Sequence, residues 1–68
     1  MKLHYYPETD SLYIDLSSRP SADSREVAQG VVLDFDERGN IVGIDIDHAS
    51  KLLDLKTLEA QGLPTAAA

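Results

Sequence analysis

The sequence contains no cysteine. No disulfide and no thiolate metal site can form, and cysteine usage gives no reading of redox compartment. Positive charge is scarce: Lys and Arg number 6 against 12 Asp and Glu, a formal net charge of −6. An excess of that sign repels phosphate backbones and anionic lipid, which argues against binding to nucleic acid or to a membrane surface. No apolar run approaches the roughly 18 residues of a membrane span. The opening MKLHYY lacks the long apolar stretch of a secretory signal, so a cytoplasmic protein is expected. Length is short as well. The 68 residues make one small domain, and a chain below about 70–80 residues rarely gains more than about 3–5 kcal/mol from one core without staples. Without disulfides, the remaining routes to stability are tight packing, a metal or self-association. Apolar residues still make up 43%, near the globular norm and patterned, so full disorder is not expected.

The pattern contains an internal repeat. Residues 3–16, LHYYPETDSLYIDL, fall on residues 33–46, LDFDERGNIVGIDI, without a gap at an offset of 30. Leu3 meets Leu33, Tyr5 meets Phe35, Leu12 meets Val42, Ile14 meets Ile44 and Leu16 meets Ile46. The match argues for one supersecondary unit used twice, by duplication or by convergence on a common hairpin pattern. Each copy reads as a β-hairpin. Its apolar residues alternate with polar ones at period two, the mark of strands with one buried face. In the first copy Pro7-Glu8-Thr9-Asp10 makes the turn, with Pro fixing φ and Asp able to cap it. In the second, Glu37-Arg38-Gly39-Asn40 does so, with Gly39 and Asn40 tolerating the positive φ of tight turns.

The inward stripe is Leu3, Tyr5, Leu12, Ile14, Leu16, Leu33, Phe35, Val42, Ile44 and Ile46, a thin core that needs a cover. The Ser- and Pro-rich stretch 17–24 reads as a loop. Residues Arg25 to Gln29 read as a further extended segment that enters the third strand through a bend at Gly30. After Asp47 the spacing changes to threes and fours, which predicts an amphipathic helix over 48–61. A second reading splits it, with Asp54 starting a separate short helix as its N-cap. Gly62 and Pro64 end the helical stretch, and residues 63–68 are expected to be a loose tail. The expected architecture is α+β. Two antiparallel hairpins, 2–16 and 25–47, form a four-stranded sheet followed by a C-terminal helix (ββββα) in a single domain over 1–62.

Four stretches resemble a known family. They are Leu12-Tyr13-Ile14 after an Asp-containing turn, Gly30-Val31-Val32-Leu33-Asp34, the run from Gly39 to Ile46, and Ala49-Ser50. They are similar to the small bacterial and archaeal family catalogued as domain of unknown function 2283. The resemblance spans about residues 5–53, and the second hairpin is its specific part. The first hairpin departs from it, because Pro7 stands where that family commonly has an acidic residue after Tyr. The resemblance implies no activity and no catalytic residues. Members sometimes encoded beside toxin-like small proteins imply an antitoxin-like partner role.

Several residue sets invite a chemical reading. DFDERGNIVGID (34–45) has the outline of a twelve-residue calcium loop, with Asp at positions one and three and Gly at six. It puts the cation Arg38 where a ligand oxygen belongs and ends on Asp45, shorter than the usual Glu. A hairpin turn explains the same residues. Asp34, Asp36, Asp45 and Asp47 project from the outer face of the second hairpin. They are either a carboxylate cluster able to hold Mg²⁺ or tune a pKa, or a solvated face that blocks edge pairing; the second reading is taken. His4 and His48 could complete a metal triad with an Asp. The plainer roles are surface packing for His4 and a contact at the helix start for His48. No nucleophile turn and no phosphate-binding glycine loop is present.

His4, Tyr6, Tyr13, Val32 and Ile41 are apolar or amphipathic yet point away from the main stripe, and they read as interface candidates. The functional expectation is a non-enzymatic protein-interaction or self-assembling module without a cofactor. It would form a homo-oligomer, a dimer as first guess, or act antitoxin-like on a basic small protein. The alternative is a metal-binding protein or metal-dependent hydrolase using Asp34, Asp36, Asp45 and Asp47.

Overall fold

The computed structural model describes residues 1–64. The expected tail 63–68 therefore lies, from residue 65 on, outside the described residues. Five strands form one antiparallel sheet: β1 (Lys2–Tyr6), β2 (Ser11–Asp15), β3 (Asp23–Ala28), β4 (Val31–Phe35) and β5 (Ile41–Ile46), in spatial order β1-β2-β5-β4-β3. The α+β class is as the sequence predicts, and the count of four strands is corrected to five. The extra strand is the extended segment before Gly30, which pairs with β4 from Asp23↔Phe35 to Ala28↔Val31. The sequence shows it as extended only over Arg25–Gln29 and not as a strand of its own, because Asp23, Arg25 and Glu26 give it no apolar stripe; Asp23 and Ser24, expected in the 17–24 loop, are its first residues. Its hold on the sheet comes from the ladder and two side-chain contacts. The Arg25 guanidinium lies 4.6 Å from the centre of the Phe35 ring, and Ser24 Oγ donates to Asp34 Oδ1 at 2.6 Å.

The repeat appears as a pseudo-two-fold axis through the sheet. In the first hairpin Leu3 pairs with Ile14, and in the second Leu33 pairs with Ile44. Both residues of the pair are displaced by the same 30 positions. The equivalent strands β2 and β5 pair with each other, and Ile14 stands directly opposite Ile44. The axis therefore passes between those two isoleucines. The pairing Leu12↔Ile46 has its mirror in the Leu16 N–H donating to the Val42 carbonyl at 2.9 Å.

Each turn is closed by the chain that leaves the other half. After β5 the chain forms a helix α1 of only four residues, Ala49–Leu52, then a 3₁₀ turn, Leu55–Thr57. The long helix expected over 48–61 is thus broken in two at Leu53, which is extended, with Asp54 standing before the second piece. The split reading describes the chain better, although Asp54 caps through its carbonyl (Thr57 N–H to Asp54 O, 3.2 Å) and not through its carboxylate. α1 docks on the first turn. Asp10 sits at φ 52, and its carboxylate accepts from Tyr5 Oη (2.7 Å), Ser50 N–H (3.1 Å) and Ser50 Oγ (2.8 Å). Its carbonyl accepts from Ala49 N–H at 2.9 Å. On the opposite side, the 17–22 segment leaving β2 reaches the second turn. Arg19 Nε meets Asp36 Oδ2 at 2.7 Å and Ala22 N–H donates to the Phe35 carbonyl at 2.7 Å.

The core is small. Leu12, Ile46 and Ala49 form a buried cluster, with Ile14, Ile44 and Leu55 packed partly against it. Val42 is buried separately.

Candidate interaction surface

One face of the sheet carries the predicted inward stripe in three rows. The row Leu12–Ile46 is covered by α1, and Val42 is covered at the other end. Between them runs a row of four aliphatic side chains across four strands: Leu3, Ile14, Ile44 and Leu33, ending at Arg25 on β3. This row straddles the pseudo-dyad and is only partly covered by the described residues, with Ile14 and Ile44 packing against the Leu12 cluster from one side. Leu3 is 44% exposed, and Ile14, Ile44 and Leu33 are half-buried although three of them lie on inner strands. Tyr5 and Ile41 are exposed to a similar degree beside it. The short α1 is the reason, because a four-residue helix reaches only one corner of the sheet. Sequence reasoning assigned these residues to the core and so missed them as a surface. The sign was available in the break at Leu53-Asp54, which shortens the cover.

The opposite face holds four of the five interface candidates. His4 pairs with Tyr13, Tyr13 with Asp45, and Val32 with Asp45. Tyr6 lies on the same face, with its ring 4.3 Å from that of His4. A shallow open hollow of about 530 Å³ runs between Lys2, Leu3, His4, Tyr6, Tyr13 and Asp15. Ile41 is not with them. A register shift in the β4–β5 ladder pairs it with Phe35, at the end of the apolar face.

Tyr13 organises this second face. Its ring crosses Gly43 on β5, and its hydroxyl donates to Asp34 Oδ2 at 2.8 Å. That hydrogen bond, burial and the charges of Asp34, Asp15 and Asp45 push its pKa up to about 12. A raised tyrosine pKa means that the phenol form is stabilised on folding. The contribution is complete below the ordinary value of 10.0 and is lost as pH rises from there towards about 12. Melting temperatures taken from about pH 9 to 12 are expected to fall steeply in the native chain and much less in Tyr13→Phe. Equal slopes would show that the bond contributes nothing. On the acid side Asp10 and Asp36 lie below the ordinary 3.8, held there first by Tyr5 Oη and by Asn40 N–H respectively. Their stabilisation is present above about pH 4 and fades as pH falls through their lowered values.

The four outer aspartates are distributed along the second hairpin. Asp36, only 8% exposed, is turned into the β4–β5 turn, where Oδ1 accepts from Arg38 and Asn40 N–H, both at 2.9 Å. Gly39, at φ 83, lets the chain wrap around that carboxylate. The calcium-like spacing is thus a turn closed on its own backbone. Asp34 is held by Tyr13 and Ser24. Asp45 is raised by burial first, with Asp47 and Asp34 adding in the same direction. Asp47 stands at the far end of β5, against Gly30, and takes a 3.3 Å bond from Ser11 Oγ. Among the described residues no three His, Asp or Glu side chains are grouped as a metal ion would need. His48 stands before α1 in a left-handed conformation, φ 53, and makes no side-chain cap. The two histidines are therefore used apart, one in an aromatic pair and one as a hinge into the helix.

The arrangement defines a class: a single antiparallel sheet with one short helix, two hairpins related by a pseudo-dyad, and an open apolar face. The chain belongs to the family described as a protein of unknown function, DUF2283, whose model matches residues 2–50. No curated protein and no solved structure matches the chain. No helix among the described residues is long and apolar enough to cross a membrane.

Proposed function

We propose that this protein is a self-assembling interaction module whose apolar sheet face packs on a second copy. The observation that carries the reading is the incompletely covered row Leu3–Ile14–Ile44–Leu33, exposed at Leu3 and half-buried at the other three. Domains are built from packed layers, and this chain supplies one layer and a fragment of another. Its radius of gyration is 13.3 Å, where a compact chain of this length has about 11 Å. Its accessible surface is 5530 Å², against about 4,200 Å² for a folded monomer of its mass. The excess, about 1,300 Å² on one chain, is shared between the exposed stretch after α1 and the open sheet, and it is larger than the roughly 800 Å² that a standard interface removes from each partner. The near-symmetry of the row about the pseudo-dyad suits an isologous contact, in which the same patch serves both copies.

Leu33→Glu tests the reading. Arg25 stands directly opposite Leu33, so the new carboxylate gains a neighbour of opposite sign within its own sheet. Across an interface between copies, two such carboxylates meet and repel. Sedimentation velocity at tens of micromolar is expected to show an assembly for the native chain whose mass is at least halved in the variant, with the affinity of the face contact lowered at least about 100-fold and the far-UV circular dichroism unchanged. A native chain that sediments as a monomer at tens of micromolar would end the proposal.

A further inference from the structure

The two edges of the sheet are unlike. β3 is an edge with its pairing blocked: it carries Asp23, Arg25 and Glu26, and its ladder is interrupted by a bulge between Glu26 and Ala28. Charges and bulges are the devices that keep an edge from recruiting another strand. β1, at the other edge, has no bulge and a single charge at its first residue. Its five residues pair with β2 in unbroken register, all five are exposed, and Lys2 is its only permanently charged side chain. Under the pseudo-dyad β1 corresponds to β4, and the outer side of β4 is occupied by β3. The outer side of β1 is therefore the one strand position of the symmetric pattern that no strand among the described residues fills.

We propose that this position is filled by β1 of a second copy, giving a continuous ten-stranded sheet. The contact uses the edge of the sheet and does not depend on the apolar face. A two-fold axis normal to an antiparallel ladder must lie between a residue and its own copy, so the register is one of very few. Only the register with His4 opposite the second copy's His4 pairs all five residues of β1. It sets Leu3 against Tyr5 of the second copy, on the apolar face. It also sets Lys2 against the second copy's Tyr6, an ammonium beside an aromatic ring. No like charges are opposed. The internal axis already follows the same rule, with Ile14 opposite its equivalent Ile44. A β1–β3 contact would instead be head-to-tail and would not close.

Because the chain has no cysteine, one substitution reads the contact directly. Directly opposite residues in an antiparallel pair have Cα atoms about 4.5–5.5 Å apart, within disulfide reach. Under a glutathione redox buffer His4→Cys is expected to give a disulfide-linked dimer at micromolar concentration. The yield should be at least tenfold above that of Val27→Cys, a likewise exposed position on the β3 edge. Equal yields from the two variants would overturn the proposal. The cross-link should survive in the Leu33→Glu background, and its loss there would also overturn an independent edge contact. Cross-linking at His4→Cys with no effect of Leu33→Glu on mass would leave the edge standing and remove the face.

Discussion

Leu12→Ala is expected to lower stability by about 3 kcal/mol and the melting temperature by about 15 °C or more. Leu12 is 5% exposed in the buried cluster found among the described residues, against Ile46 and Ala49. Removing its side chain leaves a cavity that the neighbours cannot close, because the sheet fixes Ile46 and the Asp10 clasp fixes Ala49. For a chain this short the loss is comparable to everything that one core supplies. The variant should then depend visibly on assembly. If a second copy stabilises the fold, its melting temperature rises with protein concentration by mass action. Thermal melts at two concentrations about fiftyfold apart check both statements. A drop under about 5 °C would mean that the Leu12 corner is not the core.

Gly43→Ala carries the second large effect. A Cβ built at Gly43 would lie 2.6 Å from Tyr13 Cζ and would overlap the hydroxyl. The ring has to swing away, and its bond to Asp34 goes with it. The expected cost is about 2–3 kcal/mol, from crowding and from a lost hydrogen bond to a carboxylate. The cause can be isolated by a double-mutant cycle. In a Tyr13→Ala background the same Gly43→Ala change no longer meets the ring and removes backbone freedom from the unfolded chain. It should then be neutral or slightly stabilising. Simple additivity of the two changes would show that the ring and the glycine do not communicate.

Much of this fold is legible in the residues. The period-two stripes place the four main strands. The offset of 30 gives the symmetry, since Leu3↔Ile14 and Leu33↔Ile44 keep the same register. The family is legible too, from the second hairpin above all. Three features were not. The extended run Arg25–Gln29 is readable before Gly30, but its place as a fifth strand starting at Asp23 is not, because β3 pairs through its backbone and carries no apolar stripe. The Asp10 clasp joins residues 40 apart in the chain, Asp10 and Ser50, and nothing local marks such a pair. The open row looked like core because sequence shows that a side chain is apolar, and not whether anything stands above it. The interface candidates His4, Tyr6, Tyr13 and Val32 do share a face, and Ile41 leaves them because a register shift cannot be read from alternation.

The exchange of covers between the two halves has a kinetic consequence. Each hairpin closes a short turn and can form alone within about 1–10 μs. Neither can finish its half of the core, because α1 closes the first turn and the 17–22 segment closes the second. The step that couples them is the meeting of Ile14 and Ile44, which closes a loop of about 30 residues and is slowed by the entropy of that closure. Refolding is therefore gated at the pseudo-dyad. Substitutions at Ile14 and Ile44 should slow folding, whereas those at the Asp10 and Asp36 clasps should chiefly hasten unfolding.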